Sequence, residues 1–345
     1  MSRSSRTTPL HPFALGAVAL ALSLIGCASM GAHDVQPLDA ASATAATGTT
    51  FPAQRWEDVF AHPAALRITA FNTGAVYTGT KILIEGDNPL TPEALKHDQW
   101  VPALAYLVEH ETEGRILFDT GVPSADAKGA CDFGRWPLFS VPCRAAGDQN
   151  IRAQLEARHV RPSDLRFVAV SHFHGDHAGG LHDLERDAAV PVLTTGEEWR
   201  AVNHTFPAFE GYLTELIAGT YPIRTVPSQR AVVMPLVGRV VDLFGDGAIW
   251  LIPATGHSRG QFSALLNARG GPVLLTFDAA HLAASLELRI PPGFVVDRNA
   301  ALDTIDRLRA LREAFPSMRV FFGHEPSQWV GKPRASTIVD HTSLY

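Results

Sequence analysis

His172, His174, Asp176 and His177 fall within six consecutive positions of the stretch SHFHGDHAGG, residues 171–180. A packed core has no use for such a group. Each buried imidazole needs a hydrogen-bond partner, and a buried carboxylate needs a cation. The spacing reads as a metal site. Three later residues extend it: His257 in PATGHSRGQ, Asp278 in LLTFDAAH and His324 in VFFGHEP, each next to an apolar run. Any one of these alone is explained as well by a hydrogen-bonded loop residue; together with the first four they form a ligand set. An unpaired Asp278 behind such a run would cost several kcal/mol. The set can hold two divalent ions if one carboxylate is shared. His172, His174 and His257 would bind the first, and Asp176, His177 and His324 the second, with Asp278 between them. Imidazole and carboxylate without thiolate suit zinc, and also iron, cobalt or manganese. A water shared by two cations has its pKa drawn from 15.7 to roughly 7 or below, which makes a hydroxide nucleophile at neutral pH.

Ligands this far apart in sequence need rigid elements to bring them together. Short apolar runs at 67–74, 103–110, 115–121, 165–172, 190–195, 239–244, 248–257, 272–281 and 318–325 read as strands, with Gly114 turning the second into the third. Residues 151–159 and 300–315 have helical spacing, and Leu302, Ile305, Leu308 and Leu311 make one apolar stripe on the latter. Strands in two groups with helices interposed predict a layered α/β domain. His172, His257, Asp278 and His324 would each stand at the end of a strand.

With these residues in this order, the chain resembles the metallo-β-lactamase fold superfamily, whose shared pattern is H-x-H-x-D-H followed by distant His, Asp and His. The resemblance runs from about Trp100 to His324 and is strongest with the N-acyl-homoserine lactonase branch. RILFDTGVP, SHFHGDHAGG, TGHSRGQFSALL, LLTFDAAH and FFGHE have counterparts there in the same order. It implies a four-layer αββα sandwich with a dinuclear metal site at one edge. It also implies two divalent ions, zinc first among them, and attack of the metal-bridging hydroxide on a lactone or related ester. Asp176 would carry the proton to the leaving alkoxide, and Asp119, in DTG, would lie in a turn beneath the metals. One position departs from the branch. Its members carry a tyrosine three residues after the bridging aspartate, where it reaches the substrate carbonyl, and here that residue is His281. Its imidazole would either donate in the tyrosine's place or have no such role. Two competing readings are an organophosphate or aryl-ester hydrolase using the same site, and a binding lipoprotein without catalysis. The complete ligand set speaks against the second. Class B β-lactamases mostly place a cysteine where Asp278 stands, and glyoxalase II enzymes add a helical domain where only a short tail follows His324.

The rest of the chain sets the context. Arg3, Arg6 and the apolar run 14–25 read as a signal peptide over residues 1–26, too short in its apolar part to span a bilayer. It ends in LIGC, which resembles the lipobox of bacterial lipoproteins and makes Cys27 the lipidated residue. Ala28 after it points to the outer membrane, facing the periplasm. Residues 27–55 would be a flexible tether and 56–345 the hydrolase domain. In that oxidising compartment Cys131 and Cys143 are expected to be bridged. A net charge of −6 with no long basic run counts against nucleic acid as a partner. The substrate would be a small lactone or ester, and the oligomeric state stays open. Trp199, Phe206, Phe209, Tyr212, Leu213 and Tyr221 either wall an acyl groove or form the apolar face of a covering element. Residues 132–143 are a second candidate lid.

Overall fold

The computed structural model describes residues 33–38, 54–131, 141–185, 189–204 and 206–340. The expected signal segment and Cys27 lie outside them. The apolar runs are continuous because both of their faces are covered. In the strand Gln99–His110, Leu104, Tyr106 and Val108 point to one side and Ala105 and Leu107 to the other, and all are buried.

The first sheet has the spatial order Val35–Pro37, Ile223–Thr225, Val192–Thr194, Leu165–Ala169, Gly114–Phe118, Gln99–His110, Leu66–Thr78 and Ala335–Val339, and the short strand Cys143–Arg144 pairs onto Leu66–Thr78. The second runs Arg319–Phe322, Gly271–Phe277, Phe262–Ala268, Ile249–Pro253, Gly238–Asp242 and Val232–Met234. Their inner faces meet through Ile68, Phe118 and Phe167 on one side and Leu251, Leu266 and Leu275 on the other. Removing the fully buried Phe118 ring from this layer would cost about 3–5 kcal/mol. Outside the first sheet, Ile151 and Leu155 of the helix Ile151–Glu156 pack with Phe71 and Val168. Outside the second, Ile305, Leu308 and Leu311 of the helix Arg298–Ala314 pack with Trp250 and Leu274. The chain therefore forms the expected αββα sandwich.

Some elements differ from expectation. The last helix starts two residues before position 300, because Asp297 accepts hydrogen bonds from the Asn299 and Ala300 N–H groups. The strands stop at Ala169, Pro253, Phe277 and Phe322, so the residues expected at strand ends stand on the loops that follow. A pleated strand sends successive side chains to opposite faces, and only by leaving the pleat can several converge on one point. Two left-handed residues help turn the chain at this rim, Asp119 at φ 56° and Phe277 at φ 47°. Val35–Pro37, inside the segment 27–55 expected as a tether, is an edge strand parallel to Ile223–Thr225, with Gln36 opposite Arg224. Backbone pairing and the burial of Leu38 hold it, and neither leaves an apolar period in the sequence. Among the described residues, no helix is long and apolar enough to cross a membrane.

Candidate metal centre

Four loops supply the centre. His172, His174, Asp176 and His177 come from the turn between the strand Leu165–Ala169 and the end of the short helix Gly175–Ala178. His257 follows Ile249–Pro253, Asp278 and His281 follow Gly271–Phe277, and His324 follows Arg319–Phe322. The structure brings all of them together. Nε2 of His172 and of His257 lie 3.1 and 2.9 Å from Nδ1 of His174. Asp278 Oδ2 is 3.7 Å from His172 Nε2 and 3.4 Å from His257 Nε2. On its other side, His177 Nε2 is 3.1 Å from Asp278 Oδ1, and His324 Nε2 is 3.3 Å from Asp278 Oδ2 and 3.4 Å from Asp176 Oδ2. The result is two clusters of donors joined at Asp278.

Hydrogen bonds on the outward nitrogens fix the inward ones. His174 Nε2 donates to the Glu210 carbonyl at 2.8 Å, His257 Nδ1 to the Phe294 carbonyl at 2.9 Å, and His324 Nδ1 to the Pro102 carbonyl at 2.8 Å. A carbonyl only accepts, so in the neutral rings His174 Nδ1, His257 Nε2 and His324 Nε2 present lone pairs inward. Two such lone pairs 2.9 Å apart repel each other, and a shared cation removes the repulsion. His177 Nε2 and Asp278 Oδ1 are likewise buried without a hydrogen-bond partner. Metal ligation would account for both. The donor set fits a divalent cation in each cluster.

Electrostatics divides the clusters. Burial holds His172 and His257 well below the ordinary histidine pKa and His174 below it, so all three stay neutral at pH 7. At His177 burial acts in the same direction, but the carboxylates of Asp278, Asp176 and Asp119 outweigh it and hold the group well above that value. His324 is raised by Asp278 and Asp176 against its own burial.

Two buried carboxylates support the ligands from behind. Asp119 accepts from His177 Nδ1 at 2.8 Å, from Ser171 Oγ at 2.8 Å and from the Ser171 N–H at 2.7 Å. Ser171 Oγ in turn accepts from His172 Nδ1 at 3.1 Å, so this one turn orients a histidine of each cluster. Glu198 escapes sequence reasoning. Fully buried, it accepts from the Phe173 N–H at 3.2 Å and from Ser258 Oγ and the Gly260 N–H, both at 2.8 Å. It thereby ties the loop of His172 and His174 to the loop of His257. Burial raises its pKa against these donors. Glu197 beside it is the same residue type and points to solvent, so nothing local in the sequence marks which of the two is structural.

An apolar cavity opens over the centre. Val76, Ile82, Leu83, Val101, Val141 and Phe294 make most of its wall, and the histidines with Asp176 and Asp278 line its polar side. Of the aromatic group expected near the substrate, Tyr212 and Tyr221 are buried in the layer outside the first sheet and Trp199 packs on that layer, while Phe206 and Phe209 are exposed. Only Leu213 of those six reaches the cavity, and the covering role is filled by Trp199, Tyr212 and Tyr221. Of the second candidate lid, residues 132–140 lie outside the described residues. Val141 is on the cavity wall, and Cys143 is bridged to Cys131. His281 also lines the cavity. Its Nδ1 donates to the Leu83 carbonyl at 2.8 Å, so the donor role expected of its inward nitrogen would need the doubly protonated ring.

Residues 98–324 match the family described as the Metallo-beta-lactamase superfamily. An N-acyl homoserine lactonase from a Bacillus species is 30% identical over 245 residues, covering 70% of this chain and 87% of the relative. An N-acyl homoserine lactonase of Azorhizobium caulinodans is 26% identical over 252 residues, with 70% and 89% covered. Among solved structures, an N-acyl homoserine lactone hydrolase with the product N-hexanoyl-L-homoserine bound at its catalytic metal center matches with a TM-score of 0.61 at 26% identity, covering 77% of this chain and 96% of that one. The chain belongs to the metallo-beta-lactamase superfamily, and its similarity within it is to the N-acyl homoserine lactonases.

Proposed function

We propose that this metallohydrolase is a zinc-dependent lactonase that opens the ring of an N-acyl homoserine lactone or a closely related ester. The observation that carries the reading is the His/Asp centre lying at the base of an apolar cavity, which suits a substrate with a polar reacting end and an apolar tail. His172, His174 and His257 would hold one divalent ion and Asp176, His177 and His324 another, with Asp278 between them, and the ions would supply Lewis acidity and a water of lowered pKa. The chain does the rest. Ile82, Leu83, Val101 and Phe294 exclude water and hold the acyl tail. Asp119 and Glu198 keep the ligand loops in place. The Asp176 side chain is 18% exposed against 4% for Asp278, and it lines the cavity. Its carboxylate can accept a proton from the attacking water and pass it to the leaving alkoxide. Water is added across the acyl C–O bond, and the ring becomes a hydroxy acid that releases a proton at neutral pH.

Proton release and the mass gain of one water, followed with metal-loaded protein, test this on lactones of graded acyl length, an aryl ester and a phosphotriester. The expected result is ring opening that favours longer acyl chains. Full activity after complete metal removal, or turnover of the phosphotriester alone, would refute it.

The same reading includes lipid anchoring through Cys27, and the LIGC sequence and the Cys131–Cys143 bridge support an exported protein. Cys27→Ser should move the protein out of the membrane fraction, and unchanged fractionation rejects the anchor.

A further inference from the structure

Three histidines of the centre are anchored in the same way. His257, His324 and His281 donate from Nδ1 to the carbonyls of Phe294, Pro102 and Leu83, at 2.9, 2.8 and 2.8 Å. Each then turns Nε2 toward the same atom, Asp278 Oδ2, at 3.4, 3.3 and 3.0 Å. His257 and His324 belong to the ligand set above. His281 repeats their geometry and comes nearest to the carboxylate.

The residue is 1% exposed, and its inward nitrogen is buried. Nε2 makes no hydrogen bond although Asp278 Oδ2 is 3.0 Å away, because a ring proton there would not point at the oxygen. With its proton on Nδ1, the neutral ring brings a lone pair against a carboxylate, two acceptors facing each other in a buried site. A cation shared by both resolves the conflict. Asp278, His281 and His324 each offer one donor atom, and these lie within 4.8 Å of one another.

We propose that His281 is a metal ligand, binding through Nε2 the ion that His324 and Asp278 hold. This rests on the two-metal reading above and alters it in one respect: His281 coordinates rather than donating to the substrate carbonyl. The ion on that side gains another imidazole, and fewer of its positions remain for water and substrate.

The group that sets this tautomer is itself fixed. Leu83 ends the short helix Thr80–Leu83, whose Ile82 carbonyl accepts from the Gly293 and Phe294 N–H groups at 3.0 and 3.3 Å. A Cβ on Gly293 would come within 2.6 Å of the Lys81 backbone, so helix and loop meet backbone to backbone. Phe294 aims His257 and Leu83 aims His281, so one hydrogen-bonded unit directs both rings. The His324 N–H also donates to the His281 carbonyl at 2.9 Å, joining the two ligand loops.

A crystal structure of the zinc-loaded protein, with zinc titration of variants against a chelating dye, tests the proposal. His281 Nε2 should lie about 2.0–2.1 Å from a zinc ion. His281→Ala and His281→Phe should bind one zinc as the wild type does and the other at least about tenfold more weakly. Their cobalt(II) forms should show an altered visible spectrum, which a role confined to packing would leave unchanged. Phe keeps most of the ring volume, and equal melting of the metal-free proteins shows that the variants fold. A zinc-loaded wild type with Nε2 more than about 3 Å from every ion overturns the proposal. So do variants that keep both metals and the wild-type cobalt spectrum. Because neither readout uses turnover, failure of the wild type to bind two metals is a separate result, and it brings down the dinuclear reading together with this one.

Discussion

The two clusters that meet at Asp278 follow opposite electrostatic plans. Around His172, His174 and His257 the chain offers three imidazoles that burial keeps free of protons. Around Asp176, His177 and His324 it offers a carboxylate and two histidines whose acidic neighbours raise them above the ordinary value. The first is a neutral nitrogen cup, ready for a cation at any pH near 7. The second sets carboxylates beside its histidines, and a cation entering it must displace the protons they hold. The difference shows that ligand identity alone does not set how tightly a site holds its ion; the surrounding charges decide what competes for it.

The largest effect should erase the difference. Asp278→Ala removes the residue common to both clusters, so both ions are lost and kcat/KM falls on the order of 10³-fold or more. His257→Ala should strip only the first ion and His324→Ala only the second, as metal analysis would show. Two metals retained in Asp278→Ala would break the comparison. Glu198→Ala acts on the first cluster from behind. It leaves the Phe173 and Gly260 N–H groups and the Ser258 hydroxyl without their acceptor, at about 1–3 kcal/mol for each that stays buried and unpaired. Denaturant unfolding should show the loss, Glu198→Gln a smaller one, and the first ion should dissociate before the second in both.

The pH dependence sharpens the contrast. In the metal-free protein His177 and His324 keep their protons to higher pH than an ordinary histidine, because the carboxylates beside them raise both. The second ion's affinity should therefore climb with pH through neutrality, by up to about tenfold per unit for each proton displaced, while the first ion's affinity stays nearly flat. Calorimetry in buffers of different ionisation enthalpy would read the released protons. Equal slopes for the two ions would be evidence against the two plans. The smallest effect on the centre should come from Cys131→Ser. Losing the bridge costs about 2–4 kcal/mol of stability. Metal content should not change, whereas KM for long acyl tails should rise as the Val141 side of the cavity loosens, measurable by unfolding curves and steady-state kinetics.

The clustering of these side chains was legible because metal chemistry concentrates rare residue types at short spacing, as in 171–180, and repeats them beside apolar runs. The sandwich was legible for a related reason: residues such as Leu104 to Val108 alternate between two buried faces, and only a strand covered on both sides stays apolar throughout. What escaped has no side-chain pattern. The carbonyls of Glu210, Phe294, Pro102 and Leu83 that fix the imidazole tautomers belong to the backbone, which every residue shares. Glu198 and Glu197 differ only in direction. The edge strand Val35–Pro37 gains its place by pairing with a partner about 190 positions away in the chain, as the His33–Tyr221 contact at a separation of 188 shows.

The backbone contact of Gly293 with Lys81 bears on how this protein can diversify. Any side chain at position 293 would pry the helix from the loop and misdirect His257 and His281 in the same step. Such a change is a valley that a lineage cannot cross one substitution at a time, because compensation would have to arrive on both segments at once. Val76 and Val101 on the cavity wall hold no two backbone segments in contact in this way, so exchanges there can admit a different tail. Descendants of this chain should accordingly differ widely in the acyl groups they accept while Gly293 stays fixed.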